Sequence, residues 1–533
     1  MRQKLCTLVL PVLLLLHVPC QAEHPKLIVI VIVDQMRADY LERFSEHETG
    51  GLHFFNTRGA KFVNANYEHM PTETCLGHSV LLSGRNPART GIVANEWYDR
   101  ETGRMTYCVE DDNSPLLGEP GEAVSPKNLL GDNFADWLES SYPGARVISI
   151  SMKDRAAIVM AGHHPQAVWW FSHETGDFVT SRYYGDQIPP WVQEFNSRHL
   201  VNSYASQQWV PLLKSGSPRY PAKQVDGQFP HLMPKQFGRK LNDAVYGSPF
   251  GDELLEAFAE HAISANHLGE NQGNAPDVLE IGFSSNDAVG HAYGPDSPEI
   301  ADEQIRLDRT LGRLMQVLNT RLGADKILWV LSADHGVEPA PEAELRLRGN
   351  KAARRLPFSV ALESIQSQLD TSFKIKGEMH WFAGKTDTML YFDRAELARH
   401  DISVAAASEA LAQQVKNVPG IDGFYDVTHL ESVAGWIGPV LRNSVFPTRS
   451  GDVYYLPSQW TLFSSKATET SHGDPWPYDR HVPLVFAGWH VKAQRVTSSV
   501  QVADLAPTLA ELTGVHWPKS EVLDGRSRKD LLK

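Results

Sequence analysis

The sequence has 533 residues, of which 42% are hydrophobic and 21% charged, with 39 glycines and 33 prolines. These values are typical of a globular protein and exclude a disordered, collagenous or coiled-coil chain. The formal net charge of −14 makes the chain a poor general binder of nucleic acid or of anionic membranes. Four cysteines in so long a chain exclude a small disulfide-rich scaffold.

The first 22 residues are predicted to be a secretory signal peptide. Arg2 and Lys4 precede an apolar stretch, residues 5–16, which is shorter than the roughly 20 residues that a membrane span requires. A small-residue cleavage pattern ends at Ala22. A membrane anchor and a buried first helix are the alternatives. The mature chain is expected to be periplasmic or secreted, without a membrane span.

Removal of the signal peptide leaves two cysteines, Cys75 and Cys108. In an oxidising compartment these two residues could form a disulfide bond. Two separate buried thiols are the alternative.

Continuous apolar runs recur along the chain, and runs without alternation are typical of strands buried on both faces of a parallel sheet. Between them lie helical patterns, of which the clearest begins at Ser297 and Pro298 and carries leucines 307, 311, 314 and 318 on one face. This alternation predicts an α/β fold with a mainly parallel central sheet. The predicted strands are residues 27–33, 147–150, 278–283, 327–331 and 482–486.

Two stretches interrupt this alternation, at about residues 160–260 and 340–460. The first is rich in aromatic residues, proline and glycine. The second contains its own strand, helix and strand, at residues 389–392, 404–415 and 423–427. We interpret both as insertions that cap the core of a single domain, residues 23–533.

Carboxylate and imidazole residues follow the predicted strands. Because the carboxyl ends of parallel strands meet at one edge of a sheet, these side chains are expected to converge there. Three carboxylates, three imidazoles and one hydroxyl suit two zinc ions. Each residue taken alone has a simpler reading as a helix cap, a turn residue or a structural histidine. The seven candidates are Asp34, Thr74, Asp287, His291, Asp334, His335 and His472.

Thr74 precedes a short helical pattern that ends near Gly84. A hydroxyl at a helix N-terminus lies where the helix dipole and free N–H groups favour negative charge. A zinc-bound hydroxyl would lose its proton more readily still, which would make Thr74 an alkoxide nucleophile. The alternative is that Thr74 serves only as a helix N-cap.

The order of these motifs resembles that of the alkaline phosphatase superfamily. The motifs are Asp34, Thr74-x-x-Gly77-His78, Gly91-x3-Asn95-x-Trp97, Asp287-x3-His291, Asp334-His335-Gly336 and His472-Gly473. The sequence is most similar to the bacterial secreted alkaline phosphatases with a threonine nucleophile, relatives of the nucleotide pyrophosphatase/phosphodiesterases. The resemblance extends from Leu27 to about Gly525 and implies a three-layer α/β core with inserted caps.

The resemblance also implies a role for each candidate residue. One zinc ion would be held by Asp287, His291 and His472. The second would be held by Asp34, Asp334 and His335, with Thr74 bound to it as the nucleophile. Attack by Thr74 on a small-molecule phosphate ester would form a phosphothreonine, which water then hydrolyses.

Lys153 and Arg155 distinguish between subclasses of this superfamily. In members that prefer phosphate monoesters, a Lys-x-Arg pair and an asparagine contact the non-bridging phosphate oxygens, and Asn95 matches that asparagine. A monoester dianion carries more charge than a diester, so two cations and an amide donor favour it. The alternative for the two cations is a solvated loop.

The sequence therefore predicts a secreted, zinc-dependent phosphomonoesterase. A phosphodiesterase or nucleotide pyrophosphatase on the same core is the alternative, and a non-catalytic metal-dependent binding protein is a minor one. A sulfatase is excluded because the residues after Cys75 do not match the Cys-x-(Pro/Ser)-x-Arg motif of that family.

Overall fold

The computed structural model describes residues 24–213, 229–271, 273, 275–466 and 469–532. The predicted signal peptide lies outside the described residues, so its assignment stays a prediction. In the described part of the chain, no helix is both long enough and apolar enough to cross a bilayer.

The strands alternate with helices along most of the chain. In chain order, the strands are β1 Leu27–Val33, β2 Ala60–Phe62, β3 Ala65–Asn66, β4 Glu96–Asp99, β5 Arg104–Tyr107, β6 Leu116–Leu117, β7 Val147–Ser151, β8 Ala167–Phe171, β9 Phe178–Ser181, β10 Gln208–Trp209, β11 His231–Leu232, β12 Asp277–Phe283, β13 Ile327–Ser332, β14 Arg354–Leu356, β15 Phe382–Lys385, β16 Met389–Phe392, β17 Ile421–Asp426, β18 Val453–Pro457, β19 Thr461–Phe463, β20 Leu484–Gly488, β21 Gln494–Val496 and β22 Val500–Gln501.

The α-helices are α1 Tyr40–Arg43, α2 Gly51–Arg58, α3 Thr74–Ser83, α4 Pro87–Thr90, α5 Phe134–Ser141, α6 Asp154–Ala161, α7 Pro190–Ser197, α8 Arg239–Tyr246, α9 Pro249–Ala265, α10 Ser285–Tyr293, α11 Pro298–Leu322, α12 Pro341–Arg348, α13 Phe358–Phe373, α14 Arg394–Arg399, α15 Val404–Gln413, α16 Ile437–Ser444, α17 Pro477–Arg480 and α18 Leu505–Thr513.

A ten-stranded sheet forms the centre of the molecule, in the order β21-β2-β20-β13-β1-β12-β7-β8-β9-β6. The five strands from β13 to β8 pair in parallel, and antiparallel strands continue the sheet beyond β13 and beyond β8. Every residue of β1 is buried, so helices must cover both faces of the sheet. The predicted α/β fold with a mainly parallel central sheet is confirmed.

The apolar runs predicted most of the central strands closely. The first strand has its predicted bounds, and β7, β12 and β13 each extend the prediction by one residue. The run at residues 482–486 corresponds to β20, which pairs antiparallel with β13. Burial gives parallel and antiparallel central strands the same apolar pattern, so the sequence could not fix the direction of β20.

Two groups of helices pack around this sheet. In one group α11 packs against α2 and α9, and in the other α3 packs against α6 and α18. The hydroxyl of Ser297 accepts a hydrogen bond from the Ile300 backbone N–H at 3.1 Å, which caps α11 as predicted. The predicted leucines at 307, 311, 314 and 318 form its buried face.

The two interrupting stretches differ in their relation to the core. Within residues 160–260, strands β8 and β9 extend the central sheet and α9 packs on α11, so part of this stretch belongs to the core. Within residues 340–460, β15, β16 and β17 join β18 in a separate four-stranded sheet. This sheet shares a second hydrophobic core with α13 and α15. The cap role of both stretches stays a prediction.

We expect Leu331→Ala to destabilise the protein because Leu331 lies in β13 and is fully buried. Truncation of a buried leucine costs about 2–5 kcal/mol in the free energy of unfolding, through lost burial and the cavity left behind. The measurement is the shift of the urea unfolding midpoint. Leu345→Ala on α12 is the matched control, because that side chain is 49% exposed and its loss should leave the midpoint almost unchanged.

Candidate metal centre and active site

The carboxyl ends of β1, β12 and β13 lie side by side and bring three carboxylates together. Asp34 follows β1 directly, Asp334 follows β13 after one residue, and Asp287 lies in the first turn of α10 after β12. Gln35 joins the other two: its backbone N–H donates to Asp334 Oδ1 at 3.0 Å, and its amide donates to Asp287 Oδ1 at 2.9 Å. The sequence analysis did not identify Gln35.

Asp287, His291 and His472 form the first cluster of candidate metal ligands. Their ligand atoms all lie within 4.8 Å of one another. The Nε2 atoms of His291 and His472 lie 3.4 Å and 3.8 Å from Asp287 Oδ1. Asp287 and His291 share one face of α10, so their four-residue spacing reflects one turn of a helix.

The second cluster contains Asp34, Asp334 and His78, whose ligand atoms also lie within 4.8 Å of one another. His335 lies beside them, with its Nε2 atom 3.2 Å from Asp334 Oδ2. Its ring stacks on that of His472 at 3.5 Å between centroids, which places the two clusters next to each other.

His78 belongs to a motif that the sequence analysis quoted, but it was not predicted as a ligand. It follows Thr74 by four residues on α3, so both side chains lie on one helix face. The four-residue helical spacing between Thr74 and His78 is therefore the sequence signal that could have identified His78 as a site residue.

The three predicted ligand histidines are oriented in the same way. In each, Nδ1 lies close to a backbone carbonyl: Thr470 at 2.9 Å for His291, Gly336 at 2.9 Å for His335, and Thr72 at 2.7 Å for His472. A carbonyl only accepts, so each Nδ1 carries a hydrogen, and the Nε2 atom of each ring lies on the side of the site carboxylates.

This arrangement of acceptors fits a bound cation. His335 Nε2 lies 3.2 Å from Asp334 Oδ2, close enough for one cation to contact both atoms. The Thr74 hydroxyl oxygen and His335 Nε2 are buried and have no hydrogen-bond partner among the described residues. A buried polar atom without a partner is costly, and a divalent cation bound by oxygen and imidazole nitrogen would satisfy these atoms.

Lys153 bridges the two clusters. Its ammonium lies 3.0 Å from Asp34 Oδ2 and 2.7 Å from Asp287 Oδ2. Burial would raise the pKa of both carboxyls, but Lys153 and nearby histidines hold the pKa of each below its usual range. Burial, together with the neighbouring imidazoles, lowers the pKa of His472 well below its usual value, which favours the neutral ring.

Thr74 is the first residue of α3, and its side chain is buried. The N-cap position belongs to Glu73, and neither side chain makes a capping hydrogen bond to the helix. Thr74 therefore does not act as the N-cap of α3 in this structure. Its hydroxyl instead lies at the positive end of the helix dipole.

Asn95 lies against the start of α3. Its side-chain oxygen accepts a hydrogen bond from the Cys75 backbone N–H at 2.9 Å, which leaves the amide NH₂ to face away from that contact. The structure pairs Cys75 with Cys108, and the Cys108 backbone N–H donates to the Asn95 carbonyl at 2.9 Å. The disulfide bond therefore ties the Asn95 segment to the start of α3.

Arg155 lies in the first turn of α6, which follows β7. Its Nη1 atom lies 3.5 Å from the Tyr107 hydroxyl, and that hydroxyl donates to Asp154 Oδ1 at 2.7 Å. Interactions with Tyr107 and Asp154 offset burial and raise the pKa of the guanidinium, so it stays charged. Tyr107, another residue that the sequence analysis did not single out, contributes to the placement of this cation.

Gly77 allows α3 to approach the strand end that carries Asp334. A Cβ atom at Gly77 would lie 2.0 Å from the Asp334 backbone oxygen. We expect Gly77→Ala to lower the free energy of unfolding by about 1–3 kcal/mol, because overpacking outweighs the better helix propensity of alanine.

Urea unfolding measures this effect. The matched control is Gly185→Ala, because a Cβ atom there would meet nothing within 4 Å. Wild-type stability of the Gly77→Ala variant would contradict the close packing of α3 on Asp334.

Comparison with known proteins identifies the family of the chain. Residues 28–477 match the family model described as "Type I phosphodiesterase / nucleotide pyrophosphatase". The chain is 32% identical to alkaline phosphatase PhoV of Synechococcus elongatus, over 97% of this chain and 94% of PhoV. It is 30% identical to alkaline phosphatase PafA of Elizabethkingia meningoseptica, over 93% of each chain.

The fold also agrees with a solved structure. The crystal structure of wild-type PafA matches with a TM-score of 0.87 and 28% identity, over 96% of this chain and 100% of that chain. The predicted identity as an enzyme of this superfamily is confirmed. The chain therefore belongs to the type I phosphodiesterase/nucleotide pyrophosphatase family, within the alkaline phosphatase superfamily of hydrolases.

Proposed function

We propose that the protein is a secreted or periplasmic phosphomonoesterase that uses Thr74 as its nucleophile at a site for two zinc ions. The observation that carries this proposal is the pair of clusters of carboxylate and imidazole groups, one of which includes His78 of α3, the helix that Thr74 begins. The Thr74 hydroxyl is buried and has no hydrogen-bond partner among the described residues. The relatives named alkaline phosphatases support the same reaction.

The candidate ligands divide into two sets. Asp287, His291 and His472 would hold one ion, and Asp34, Asp334 and His335 would hold the other, beside Thr74. Carboxylate oxygens and neutral imidazole nitrogens are donors that zinc accepts. When bound, two such ions supply charge neutralisation of the attacking and leaving oxygens and a lower pKa for a coordinated hydroxyl.

Thr74 carries out the first half of the reaction. Its hydroxyl loses a proton to solvent, and its oxygen attacks phosphorus. The bond from phosphorus to the ester oxygen breaks, the ester oxygen keeps the electron pair, takes up a proton and departs as the alcohol, and the phosphoryl group remains on Thr74 as a phosphothreonine. The position of Thr74 at the start of α3 favours this step, because the N-terminus of a helix stabilises negative charge on the oxygen.

Water completes the cycle in the second half. Its oxygen attacks the phosphothreonine, the bond between phosphorus and the Thr74 oxygen breaks, and inorganic phosphate leaves. The threonine hydroxyl is restored for the next turnover. Burial of Thr74 limits the access of bulk water to the intermediate.

Three further residues support a preference for monoesters. Lys153 and Arg155 are cations beside the clusters, and the Asn95 amide has two N–H donors that its contact with Cys75 leaves unused. A monoester dianion has more negative charge on its non-bridging oxygens than a diester monoanion. It therefore gains more from two cations and an amide donor.

A phosphodiesterase or nucleotide pyrophosphatase is the second candidate. The observation that favours it is the name of the matching family model, which covers residues 28–477. Both reactions would use the same nucleophile and metal ligands. They would differ in whether the residues around Lys153 and Arg155 accept a phosphate monoester or a diester.

Two observations support an extracytoplasmic location. The first 22 residues have the pattern of a signal peptide. The Cys75–Cys108 disulfide bond fits an oxidising compartment.

The nucleophile can be tested by Thr74→Ala. We expect hydrolysis of 4-nitrophenyl phosphate to fall to the background rate, because the variant has no oxygen to form the phosphoenzyme. Thr74→Ser should retain measurable activity, since it keeps the hydroxyl. Thr102→Ala, in an exposed turn, is the matched control and should resemble the wild type.

Metal analysis of the same variants distinguishes loss of the nucleophile from loss of the metal ions. Thr74→Ala should keep about two equivalents of zinc, because six other ligand residues remain. Full activity in Thr74→Ala would refute the proposed nucleophile, and fewer than two equivalents in the wild-type protein after zinc loading would refute the two-ion site.

Substitution of Lys153 and Arg155 by alanine tests the monoester preference. Each change should reduce kcat/KM for 4-nitrophenyl phosphate by roughly 10- to 100-fold, the loss expected for a charge-assisted hydrogen bond. The loss for bis(4-nitrophenyl) phosphate should be smaller. Lys466→Ala, an exposed lysine, is the control. Equal losses on both esters would remove the argument for a monoesterase.

A further inference from the structure

Gln35 contacts one carboxylate of each cluster of candidate metal ligands. Its side-chain amide donates to Asp287 Oδ1 of the first cluster at 2.9 Å, and its backbone N–H donates to Asp334 Oδ1 of the second cluster at 3.0 Å. Gln35 follows Asp34 directly and is completely buried. One residue therefore holds a part of both clusters, through two different groups.

The backbone of Gln35 has a conformation that is unusual for a residue with a side chain. Its φ angle is 64°, in the left-handed region that favours glycine. The Asn286 side chain donates to the Asp34 carbonyl at 2.6 Å, and Gln304 Nε2 donates to Asn286 Oδ1 at 2.7 Å. The peptide between Asp34 and Gln35 is therefore held at its carbonyl by Asn286 and at its N–H by Asp334. A strained conformation persists where its surroundings impose it, as these contacts do here.

The side chain of Gln35 has one possible orientation. A carboxylate only accepts hydrogen bonds, so the NH₂ group of the amide faces Asp287. The amide oxygen is buried, has no hydrogen-bond partner among the described residues, and lies where a Cβ atom at Gly290 would come within 1.7 Å of it. A buried acceptor without a partner costs free energy, so stability alone does not account for a glutamine at this position.

The two oxygens of Asp287 have different neighbours. Oδ2 lies 2.7 Å from the Lys153 ammonium. Oδ1 accepts the hydrogen bond from Gln35 and lies 3.4 Å and 3.8 Å from the Nε2 atoms of His291 and His472. A carboxylate oxygen has two lone pairs, so Oδ1 can accept from Gln35 and still bind a cation beside the two imidazoles.

Asp334 is held without the Gln35 side chain. Its Oδ1 atom accepts from the backbone N–H groups of Gln35 and His335, at 3.0 Å and 2.9 Å. Its Oδ2 atom lies 3.2 Å from His335 Nε2 and is the oxygen left for a cation. A change of the Gln35 side chain therefore removes the contact with Asp287 and keeps the contact with Asp334.

We propose that Gln35 is a positioning residue whose amide orients Asp287 toward the first zinc ion, while its backbone N–H separately orients Asp334 toward the second. The inference rests on the proposed function, because it requires an ion in each cluster. Removal of a group that orients a metal ligand typically lowers metal affinity or activity by about 10- to 100-fold. The amide should thus set the zinc affinity of the first cluster alone.

Gln35→Met tests the proposal, because methionine is unbranched and of similar length but has no N–H group in its side chain. Chelator competition on the zinc-loaded protein is the measurement. We expect one of the two zinc equivalents to be released at about 10- to 100-fold higher free zinc than in the wild type, and the other to be unchanged. Gln35→Gly should show the same difference between the two ions, since glycine adopts a positive φ angle without strain and also lacks the amide.

Two further variants complete the experiment. Asn417→Gly is the matched control, because Asn417 also has a positive φ angle, of 53°, but an exposed side chain. It should release both equivalents as the wild type does. His472→Ala disables the first cluster, so Gln35→Met in that background should leave the release of the remaining ion unchanged.

Unchanged release of both equivalents in Gln35→Met and Gln35→Gly would overturn the role of Gln35. Equal weakening of both equivalents would also overturn it, because a general loss of structure would then explain the effect. A wild-type protein that holds two equivalents but does not hydrolyse 4-nitrophenyl phosphate would instead overturn the proposed function, while the release comparison would still decide the role of Gln35.

Discussion

The repulsion between three buried carboxylates at one edge of the central sheet is the constraint on which the site depends. Asp34, Asp287 and Asp334 follow three adjacent parallel strands and are almost completely buried. Like charges so close together in a medium of low dielectric constant need compensating positive charge. Lys153 supplies part of it through its contacts with Asp34 and Asp287. The remaining acceptors make the site a candidate for divalent cations.

The scaffold fixes each of these groups through backbone contacts. Carbonyl groups hold the Nδ1 atoms of three histidines, and the missing side chain of Gly77 lets α3 approach Asp334. Thr74 begins this helix, whose dipole favours negative charge at that end. His472, which comes from a loop before β20, completes the surroundings from outside the core sheet.

Much of the core was predictable because its signals are local. A strand buried on both faces needs an unbroken apolar run, so β1 and its parallel neighbours were recognisable within about one residue. The polar residue after each run marks the strand end, which is why Asp34, Asp287 and Asp334 could be expected to converge. The N-cap Ser297 and the leucine spacing of α11 follow the same local rules. The roles of these site residues, in contrast, remain proposals that chemistry must test.

The sequence by itself determined the α/β class, the central strands and the set of residues able to bind metal, because apolar periodicity and ligand type are written in neighbouring residues. Only the tertiary structure decided which groups meet. His78 joins Asp34 and Asp334, and Lys153 lies between residues that are more than 100 positions away from it along the chain. Such contacts depend on how distant segments pack together, and no local sequence pattern around either residue indicates which partner it will meet.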